Sequence, residues 1–467
     1  VEENTNGKDN HNHGSHTAST AAGNPVNVFV NGAINSQVSG VAPRANIISY
    51  RVCYQGEPAS ADAAACDSSA TLQAIGQAIT DGVDVLNYSV GGAPRDPWTF
   101  GSVDRAFLNA RNAGIYTATS AGNDGPNPGT VGSPANAPWV TAVGNATHNT
   151  LPGSAIQNMT GGNTTPPGDI VGASLTGGTG KLVIVHAKDY GSALCGEGPA
   201  ESQPTCAGNT GASSPWGTEK VFNGEIVVCD RGTDGRVEKG KNVLLAGAGG
   251  YVLANTAASV AELGDTIVAD DHCLPGVHVE KDDGDELRAW LDSGSGHGAS
   301  LSGLMLAEND GIADLIRSSS SRGPVGPPVE DTLKPNVIAP GTWILAASAF
   351  GSNFIELNGT SMSSPHVAGA AALLKSARPG WTPSQLASAI ETTSTDELAK
   401  DFDGSPATTQ QAGAGRPQLG DAVNTGLYLE ATVSEFTAAN PAAGGDPKSL
   451  NLPGLVDATC KTCLLYT

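Results

Sequence analysis

Residues 358–375 read NGTSMSSPHVAGAAALLK, a turn of small polar residues that runs into an Ala-rich helical pattern. Gly359 permits a close approach of the backbone, and Ser361 stands where the loop enters the helix. We place Pro365 in the first helical turn, where its missing N–H costs nothing. A serine at a helix start has its oxygen near free backbone N–H groups and the positive end of the helix dipole, which suits a nucleophile. A simple Ser/Thr helix cap remains the alternative for this stretch taken alone.

A second polar stretch lies near the start of the chain, where residues 13–20 read HGSHTAST. Histidine is the most common general base near neutral pH, and the small residues after His13 let it head a tightly packed helix. Together with His11 and His16, it also raises the alternative of a zinc site. No HExxH pattern is present, and no nearby Cys or acidic residue completes a ligand set, so a solvated polar terminus is the remaining alternative.

A third stretch, SAGNDG at residues 120–125, follows a strand pattern at 114–120. The Asn123 side chain offers an N–H₂ donor from a loop at a strand end. The alternative is an ordinary turn, because Asn, Asp and Gly favour turns in any context.

The segments between these motifs alternate between strand and helix patterns. Strands are predicted at 46–53, 83–90 and 114–120, and helices at 69–81 (capped by Ser69), 102–113, 362–375 and 383–392. This rhythm predicts a parallel sheet with helices on its faces, whose chemistry lies on loops beyond the carboxyl ends of the strands.

Composition changes at about residue 150. Residues 150–180 are rich in Gly, Thr, Asn and Pro and are predicted to be a linker. Residues 181–306 carry their own strands at 181–186, 224–229 and 250–253, a helix near 239–247 and four of the eight cysteines. We interpret this block as an inserted domain, and we expect β-like structure after about residue 428.

Charge and cysteine content restrict the class of protein. The 467 residues carry 24 Lys and Arg against 46 Asp and Glu, a net charge of −22 that repels nucleic acid. No apolar run approaches the roughly 18 residues that span a bilayer. The even number of cysteines, mostly in close pairs, favours disulfides and an oxidising compartment over scattered buried thiols. Spacing does not fix the pairing, and our working assignment is Cys53–Cys66, Cys229–Cys273 and Cys195–Cys206.

Taken together, the motifs resemble one family. HGSHTA, VLNYSVGG, SAGNDGP, SSRGP, LKPNVIAPG and NGTSMSSPHVAGAAALLK resemble, in family order, the subtilisin-like serine endopeptidases (subtilases) over about residues 11–145 and 314–428. The His motif departs from the pattern at Ser15 and Ser19, which replace commoner small residues. The segments FNGEIVVCDRG and EKGKNVLLAGAGGYVLAN resemble a protease-associated (PA) domain, and GAGRPQLGDAVNTGLYLE with GGDPKSLNLP resembles the junction to a fibronectin-III-like domain.

The resemblance implies an α/β architecture in four segments. Residues 1–149 and 313–428 would form a parallel-sheet, subtilisin-like catalytic domain, and residues 150–312 would form a linker and an inserted PA-like α+β/β domain. Residues 429–467 would begin a truncated, fibronectin-III-like β-sandwich domain.

The resemblance also assigns roles to residues. Ser361 would attack the scissile carbonyl, His13 would take its proton, and Asn123 would donate to the oxyanion beside the Ser361 backbone N–H. Two sets would bind substrate: Ser89, Val90, Gly91 and Gly92 as a pairing strand, and Ser120, Ala121 and Gly122 around the side chain before the cut. Because these pocket residues are small, we expect a wide pocket that takes large apolar or aromatic side chains.

The third member of the catalytic triad is expected outside the sequence. The family order of Asp, His and Ser places the orienting Asp upstream of Val1, and Asp9 lies too close to His13 to take that role. The resemblance also leads us to expect a signal peptide and an inhibitory propeptide upstream of Val1. We therefore expect residues 1–467 alone to be poorly active, since mis-setting the histidine costs a serine protease roughly 10⁴ in turnover. The alternative is a catalytically impaired subtilase scaffold that acts as a protein-binding module.

The implied partners are protein or peptide substrates and the protein's own propeptide, with no nucleic acid, no membrane span and a secreted location. No cofactor is expected. Members often bind structural calcium, but no self-contained loop with spaced acidic ligands places it here. Five sequons begin at Asn87, Asn145, Asn158, Asn163 and Asn358. We expect Asn158 and Asn163 to be the best glycosylation candidates, and Asn358 to be buried beside the nucleophile.

Overall fold

A computed structural model describes residues 8–30, 34–55, 64–196, 206–232, 235–263, 267–308, 310–350, 354–397 and 399–454. Contacts divide the chain into two compact units. The first contains the described residues of Val1–Val26, Val38–His148 and Ala313–Thr467, and the second those of Asn27–Gln37 and Asn149–Ile312.

The helices follow one another along the chain in this order: α1 (His13–Ala22), α2 (Ser68–Asp81), α3 (Val103–Asn112), α4 (Arg236–Leu245), α5 (Ala257–Leu263), α6 (Lys281–Leu291), α7 (Thr360–Ala377), α8 (Pro383–Thr392), α9 (Thr409–Ala412), α10 (Leu419–Ala422) and α11 (Val433–Ala438). Across the described ranges, none of these helices has both the length and the apolar character that crossing a bilayer requires.

The strands are, in the same order, β1 (Val26–Val30), β2 (Ile34–Val38), β3 (Cys53–Gln55), β4 (Ala64–Cys66), β5 (Val85–Tyr88), β6 (Tyr116–Ser120), β7 (Thr141–Ala146), β8 (Thr150–Thr160), β9 (Ile170–Ala173), β10 (Leu182–His186), β11 (Ile226–Asp230), β12 (Gly250–Ala254), β13 (Gly276–Val279), β14 (Gly298–Leu301), β15 (Met305–Glu308), β16 (Val337–Pro340), β17 (Ile344–Ala347) and β18 (Phe354–Leu357).

The first unit is built on a parallel sheet with strand order β16-β7-β6-β5. Ala118 of β6 pairs with Thr141 of β7, and Val143 of β7 pairs with Val337 of β16. Helix α7 packs on this sheet through small residues, since Val367 and Ala371 share a buried cluster with strand residues that include Ala118 and Val143. The predicted α/β arrangement is therefore present in the first unit.

Local capping explains where the flanking helices begin. The predicted helix at 69–81 is present as α2, but its cap is Asp67, whose carboxylate accepts from the Ala70 N–H at 2.9 Å. Gly82 ends α2 in the left-handed conformation, with φ 68°. Helix α3 begins after Ser102, whose hydroxyl accepts from the Arg105 N–H at 3.1 Å. Hydrophobic spacing located the helices, and competing polar residues set their ends.

The strand predicted at 46–53 is wrong for most of its length. Only Cys53 belongs to a strand, while residues 46–52 have no regular structure. Ile47 and Ile48 are 50% and 52% exposed, so the apolar run does not enter the core. A β-prone run becomes a strand only where a neighbour supplies ladder hydrogen bonds, and among the described residues no strand pairs with 46–52.

The second unit contains an eight-stranded mixed sheet with order β14-β10-β11-β12-β13-β9-β8-β15. Strands β10 to β13 run parallel, and β14 pairs with β8 as well as with β10, so the sheet closes on itself. The linker predicted at 150–180 is wrong over β8 and β9. Glycine in this stretch takes part in strand pairing, as in the pair Gly153 and Ala173. Composition did not reveal these strands, because strand formation depends on pairing and packing with neighbouring strands.

The described residues after 428 contain a helix where β structure was expected. Thr432 and Glu435 form a capping box that starts α11. Phe436 of this helix is fully buried, its ring lies 6.0 Å from that of Trp139, and its carbonyl accepts from Trp98 Nε1 at 2.7 Å. The expected β-sandwich start is therefore wrong for residues 429–454, which complete the core of the first unit; residues 455–467, with Cys460 and Cys463, lie outside the described residues.

Three disulfides are present among the described residues. Cys53–Cys66 is confirmed, whereas the other two predicted pairs are wrong, because the bonds join Cys195 to Cys229 and Cys206 to Cys273. Cys195 and Cys229 lie in the same buried cluster, and their Cα atoms are 5.8 Å apart. Proximity in the folded unit decides the pairing, and spacing along the chain does not reveal it.

Candidate active site

The turn before α7 presents Ser361 at the start of a helix. Gly359 has φ 141°, a conformation that side chains rarely adopt, and α7 begins at Thr360. Ser361 is half-buried, and its backbone N–H lies in the first turn, where helices leave N–H groups without intrahelical acceptors. Local geometry thus gives this serine a nearby free donor.

Pro365 acts differently from our expectation, because it is the sixth residue of α7 and not part of the first turn. Its missing N–H deprives the Ser361 carbonyl of the usual intrahelical donor. The Ser89 hydroxyl donates to that carbonyl at 2.9 Å, and the Ser361 hydroxyl donates to the Ser89 carbonyl at 3.3 Å. This reciprocal pair fixes the candidate nucleophile to the segment that follows β5.

Asn123 is anchored to the same helix start. Its Oδ1 accepts from the Thr360 backbone N–H at 3.0 Å and lies 3.0 Å from the Thr360 hydroxyl. The side-chain oxygen is thereby committed to α7, which leaves the N–H₂ group as the free end of the amide. A Cβ at Gly359 would lie only 3.4 Å from both terminal atoms of the Asn123 amide, so a larger residue there would crowd it.

Helix α1 carries His13 alongside α7. A Cβ added at Gly369 would lie 2.7 Å from the Ala21 carbonyl oxygen, so the two backbones touch at that point. Nearer the helix starts, His16 Nε2 lies 2.7 Å from the Ile344 carbonyl oxygen, and the N–H of the adjacent Trp343 donates to Asn358 Oδ1 at 2.7 Å, two residues before α7. The two helices therefore run parallel with their N-termini at the same end, which places His13, the first residue of α1, on the level of the first turn of α7.

The surroundings of His13 favour its neutral form. Burial lowers the pKa of His13, the positive charges of His11 and His16 lower it further, and Asp9 opposes them. The Asp9 carboxylate accepts hydrogen bonds from the backbone N–H groups of His11 at 2.8 Å and Ser15 at 2.7 Å. It therefore caps N–H groups at the start of α1. Among the described residues, neither ring nitrogen of His13 has a hydrogen-bond partner. A neutral imidazole is the form that accepts a proton.

The three N-terminal histidines do not converge on one point. His16 is fully buried with Nε2 2.7 Å from the Ile344 carbonyl oxygen, while the rings of His11 and His13 lie 6.4 Å apart. Within the part of the chain that the structure describes, no group of three His, Cys, Asp or Glu residues could hold a metal ion. The geometry gives no support to the zinc alternative.

Residues 132 and 133 join the two segments that were predicted to bind substrate. The Gly132 N–H donates to the Ala121 carbonyl at 3.4 Å, and Gly92 exchanges two backbone hydrogen bonds with Ser133, each 3.0 Å long. Ser120 and Ala121 are buried. The Gly92 N–H is therefore committed to Ser133 and is not available to a substrate strand.

Asn358 differs from our expectation. Instead of being buried it is exposed, since it stands on the outer side of the turn before Gly359, and its Oδ1 accepts from the Trp343 N–H at 2.7 Å. Sequence reasoning also gave no role to Thr360 and to the Ser89 hydroxyl. Thr360 lies inside the quoted motif, but its bond to Asn123 bridges residues 237 positions apart, which no local pattern reveals.

Comparison with known proteins identifies the family. Residues 1–415 match the model of the subtilase family, peptidase S8. The chain therefore belongs to the subtilases, and the resemblance stated from the motifs is confirmed.

Curated relatives agree with this assignment. The chain is 35% identical over 475 residues to Subtilisin-like protease SBT1.6 of Arabidopsis thaliana, covering 96% of this chain and 58% of the relative. It is 37% identical over 449 residues to Subtilisin-like protease SBT1.7 of the same plant, covering 92% and 55%. The chain thus spans little more than half the length of these relatives. A structure search finds the psychrophilic subtilisin-like protease Apa1 from Pseudoalteromonas sp. AS-11 at TM-score 0.44 and 19% identity, covering 89% of this chain and 84% of that one.

Proposed function

We propose that the protein is a secreted serine endopeptidase that hydrolyses peptide bonds through an acyl-enzyme. Ser361 is the nucleophile, His13 the general base and Asn123 the oxyanion donor. The observation that carries the proposal is the anchoring of the Asn123 carboxamide by Thr360, directly beside Ser361 at the helix start. The parallel packing of α1 on α7 supports the same grouping of residues.

The proposed reaction has two matched halves. The Ser361 Oγ leaves its contact with Ser89 and attacks the scissile carbonyl carbon while His13 accepts the hydroxyl proton. The carbonyl oxygen takes the negative charge and receives hydrogen bonds from the Ser361 backbone N–H and the Asn123 N–H₂ group. His13 then returns the proton to the departing amine, which breaks the peptide bond. Water repeats the sequence and releases the acyl group from Ser361.

Several parts of this proposal concern the complete protein. An Asp upstream of Val1 would orient His13, so residues 1–467 alone would be poorly active. The substrates would be proteins or peptides, and the second unit would be a PA-like domain. The disulfides support a secreted location. Asn158 and Asn163 are exposed and suit glycosylation, whereas Asn145 is 1% exposed.

The test uses the protein produced from its complete coding sequence and a fluorophosphonate probe, which modifies activated serines. We expect labelling at Ser361, complete loss of labelling in Ser361→Ala, and hydrolysis of casein by the unmodified protein. Ser376→Ala serves as the matched control, because Ser376 is exposed near the end of the same helix and should leave Ser361 reactive. An unlabelled Ser361 in a folded, inactive protein would overturn the proposal.

One observation favours a second candidate, the catalytically impaired scaffold that binds proteins. The His13 ring has no hydrogen-bond partner among the described residues, so none of them fixes its tautomer. This candidate predicts that the complete protein binds unfolded casein with no hydrolysis and no probe labelling. Hydrolysis that depends on Ser361 excludes it.

A further inference from the structure

Arg95 lies three residues beyond the Gly91-Gly92 pair, and the structure holds its backbone from both sides. Its N–H donates to the Ser133 hydroxyl at 2.8 Å, and its carbonyl accepts from Asn136 Nδ2 at 2.8 Å. Ser133 also donates to Asn136 Oδ1 at 3.1 Å. Arg95 is therefore fixed to residues 133–136, the segment next to the predicted substrate pocket.

The side chain of Arg95 returns toward that pocket. A Cβ added at Gly92 would lie 3.9 Å from Arg95 Nη2, so the guanidinium lies along the glycine that borders the pairing segment. Arg95 is exposed, and within the described ranges no carboxylate oxygen lies within the 4.0 Å that defines an ion pair with it. Asp96, its neighbour in sequence, directs Oδ1 to the Trp98 N–H at 2.9 Å. The guanidinium is thus accessible and has no carboxylate partner in the part of the chain that the structure describes.

A buried acid near Arg95 does not remove its charge. Asp104 is 0% exposed, and burial raises the pKa of its carboxyl group, an effect that the charge of Arg95 opposes only in part. Within the described ranges neither carboxylate oxygen of Asp104 has a hydrogen-bond partner, so this acid does not cover the guanidinium directly. The positive charge of Arg95 is available to a bound ligand.

We propose that Arg95 makes this protease prefer an acidic residue immediately before the scissile bond, with glutamate favoured over glutamine. The inference rests on the proposed function, because it assumes that residues 89–92 and 120–122 flank the side chain before the cut. Gly132 and Ser133 are hydrogen-bonded to both segments, and the Arg95 N–H donates to the Ser133 hydroxyl. A long side chain that ends in a carboxylate meets the guanidinium there, and the planar fork of arginine matches a carboxylate.

The net charge of the protein does not explain a preference for acidic substrates. Its net charge of −22 repels acidic peptides at long range, so only a local cation selects them. The proposal differs from the apolar pocket that residue size alone favoured. The small residues Ser120, Ala121 and Gly122 make the pocket wide. The charge of Arg95 determines which substrate side chains can form an ion pair.

The experiment compares internally quenched peptides that differ only at the residue before a single cleavable bond, which carries Glu, Gln, Phe or Leu. The enzyme is the complete protein, and mass spectrometry verifies the cut. We expect kcat/KM for Glu to exceed that for Gln about tenfold, the scale of a partly exposed charged hydrogen-bonded pair. In Arg95→Gln the ratio should fall to about one, with the Phe and Leu peptides cleaved as before. Arg44→Gln, a change at an exposed arginine outside these segments, should behave as the unmodified protein.

Each outcome decides the proposal. A Glu/Gln ratio of one or less in the unmodified protein, with rapid cleavage of the Phe peptide, overturns the inference and leaves the protease function standing. A tenfold ratio that survives in Arg95→Gln also overturns it, because the preference then comes from another group. If no peptide is cleaved and the fluorophosphonate probe leaves Ser361 unlabelled, the proposed function fails and this inference fails with it.

Discussion

Thr360 shows how one residue can set the direction of another far away in sequence. Its backbone N–H and hydroxyl both meet Asn123 Oδ1, at 3.0 Å each, so the amide of Asn123 has one orientation open to it. Thr360 does not reach a reacting atom in the proposed mechanism and is a positioning residue. Its contribution should therefore be visible in turnover more than in substrate binding.

We predict that Thr360→Val lowers kcat about tenfold and leaves KM nearly unchanged, because the Asn123 donor loses part of its support. Thr360→Ser keeps the hydroxyl and should retain most of the turnover. Steady-state kinetics of the complete protein on a peptide substrate checks both variants. Equal turnover in Thr360→Val and the unmodified protein would show that the backbone contact alone orients Asn123.

The charge of His11 should influence the pH dependence of the reaction. His11 lowers the pKa of His13, after the larger effect of burial. Replacing His11 with Gln removes a positive neighbour, so the pKa of His13 should rise and a higher pH should be needed to deprotonate it. We predict that the acid limb of the kcat/KM profile moves to higher pH in His11→Gln. An acid limb that moves downward contradicts this assignment of the base.

At the scale of elements, Asp9 stabilises the first turn of α1. Burial raises the pKa of Asp9, but the hydrogen bonds from His11 and Ser15 outweigh it and hold the pKa below its ordinary value. A depressed carboxyl pKa stabilises the folded state above the ordinary pKa of Asp, and this stability is lost as the pH falls through the folded value.

We predict that Asp9→Ala lowers the free energy of unfolding by about 1 kcal/mol near neutral pH, the usual cost of losing a helix cap. The difference between the variant and the unmodified protein should shrink in acid, where Asp9 is protonated in both states. Denaturant unfolding at several pH values, followed by circular dichroism, measures it. A difference that stays constant down to the lowest pH would show that packing, and not charge, is lost.

Asn336 joins two buried charged groups that come from different elements. Its Oδ1 accepts from Lys334 Nζ at 2.9 Å and from the Ala142 N–H at 2.8 Å, while its Nδ2 donates to Glu391 Oε2 at 3.1 Å. The motif LKPNVIAPG has Asn at this position. The amide can accept on one side and donate on the other, which a carboxylate cannot do.

We predict that Asn336→Asp lowers the melting temperature, because it replaces the N–H donor to Glu391 with a second carboxylate about 3 Å away, and Lys334 on the other side offsets only part of that repulsion. The loss should be larger at pH 8 than at pH 5.5, where one carboxyl group is more easily protonated. Differential scanning calorimetry of the complete protein tests this. The double variant with Glu391→Gln should recover most of the stability, and a failure to recover would point to packing instead of charge repulsion.

The sequence predicts an element well where local interactions stabilise it, and poorly where long-range contacts do. The helix at 383–392 was predicted to the residue, since hydrophobic spacing and the Thr382 cap act locally. The strand predicted at 46–53 failed because a ladder partner decides strand formation, and the sequence of the strand does not contain it. In the candidate site, Ser361 and Asn123 are identifiable from local motifs. The contacts of Thr360 and Ser89 are long-range and became visible only in the fold.

At the scale of the whole molecule, the disulfides link distant parts of the second unit. The bond from Cys195 to Cys229 closes 34 residues, and that from Cys206 to Cys273 closes 67. Under the chain-entropy relation, loops of these lengths each contribute about 4 kcal/mol, against about 3 kcal/mol for the 13-residue loop of Cys53 and Cys66.

We predict that non-reducing digestion and mass spectrometry recover Cys195 linked to Cys229 and Cys206 linked to Cys273. Replacing Cys206 and Cys273 together with Ser should lower stability more than replacing Cys53 and Cys66 together, because the longer loop regains more freedom on unfolding. Peptides that join Cys229 to Cys273 would contradict the pairing seen here.

The contact between Gly369 and Ala21 restricts which insertions and deletions this chain can accept in evolution. Ala21 lies eight positions after His13, and Gly369 lies eight positions after Ser361. Inserting or deleting one residue in either interval would swing that helix's terminal side chain through about 100° and displace it by 1.5 Å along the axis. Length variation in this protein should therefore accumulate in loops, while these two intervals tolerate exchange of one amino acid for another but no gain or loss of residues.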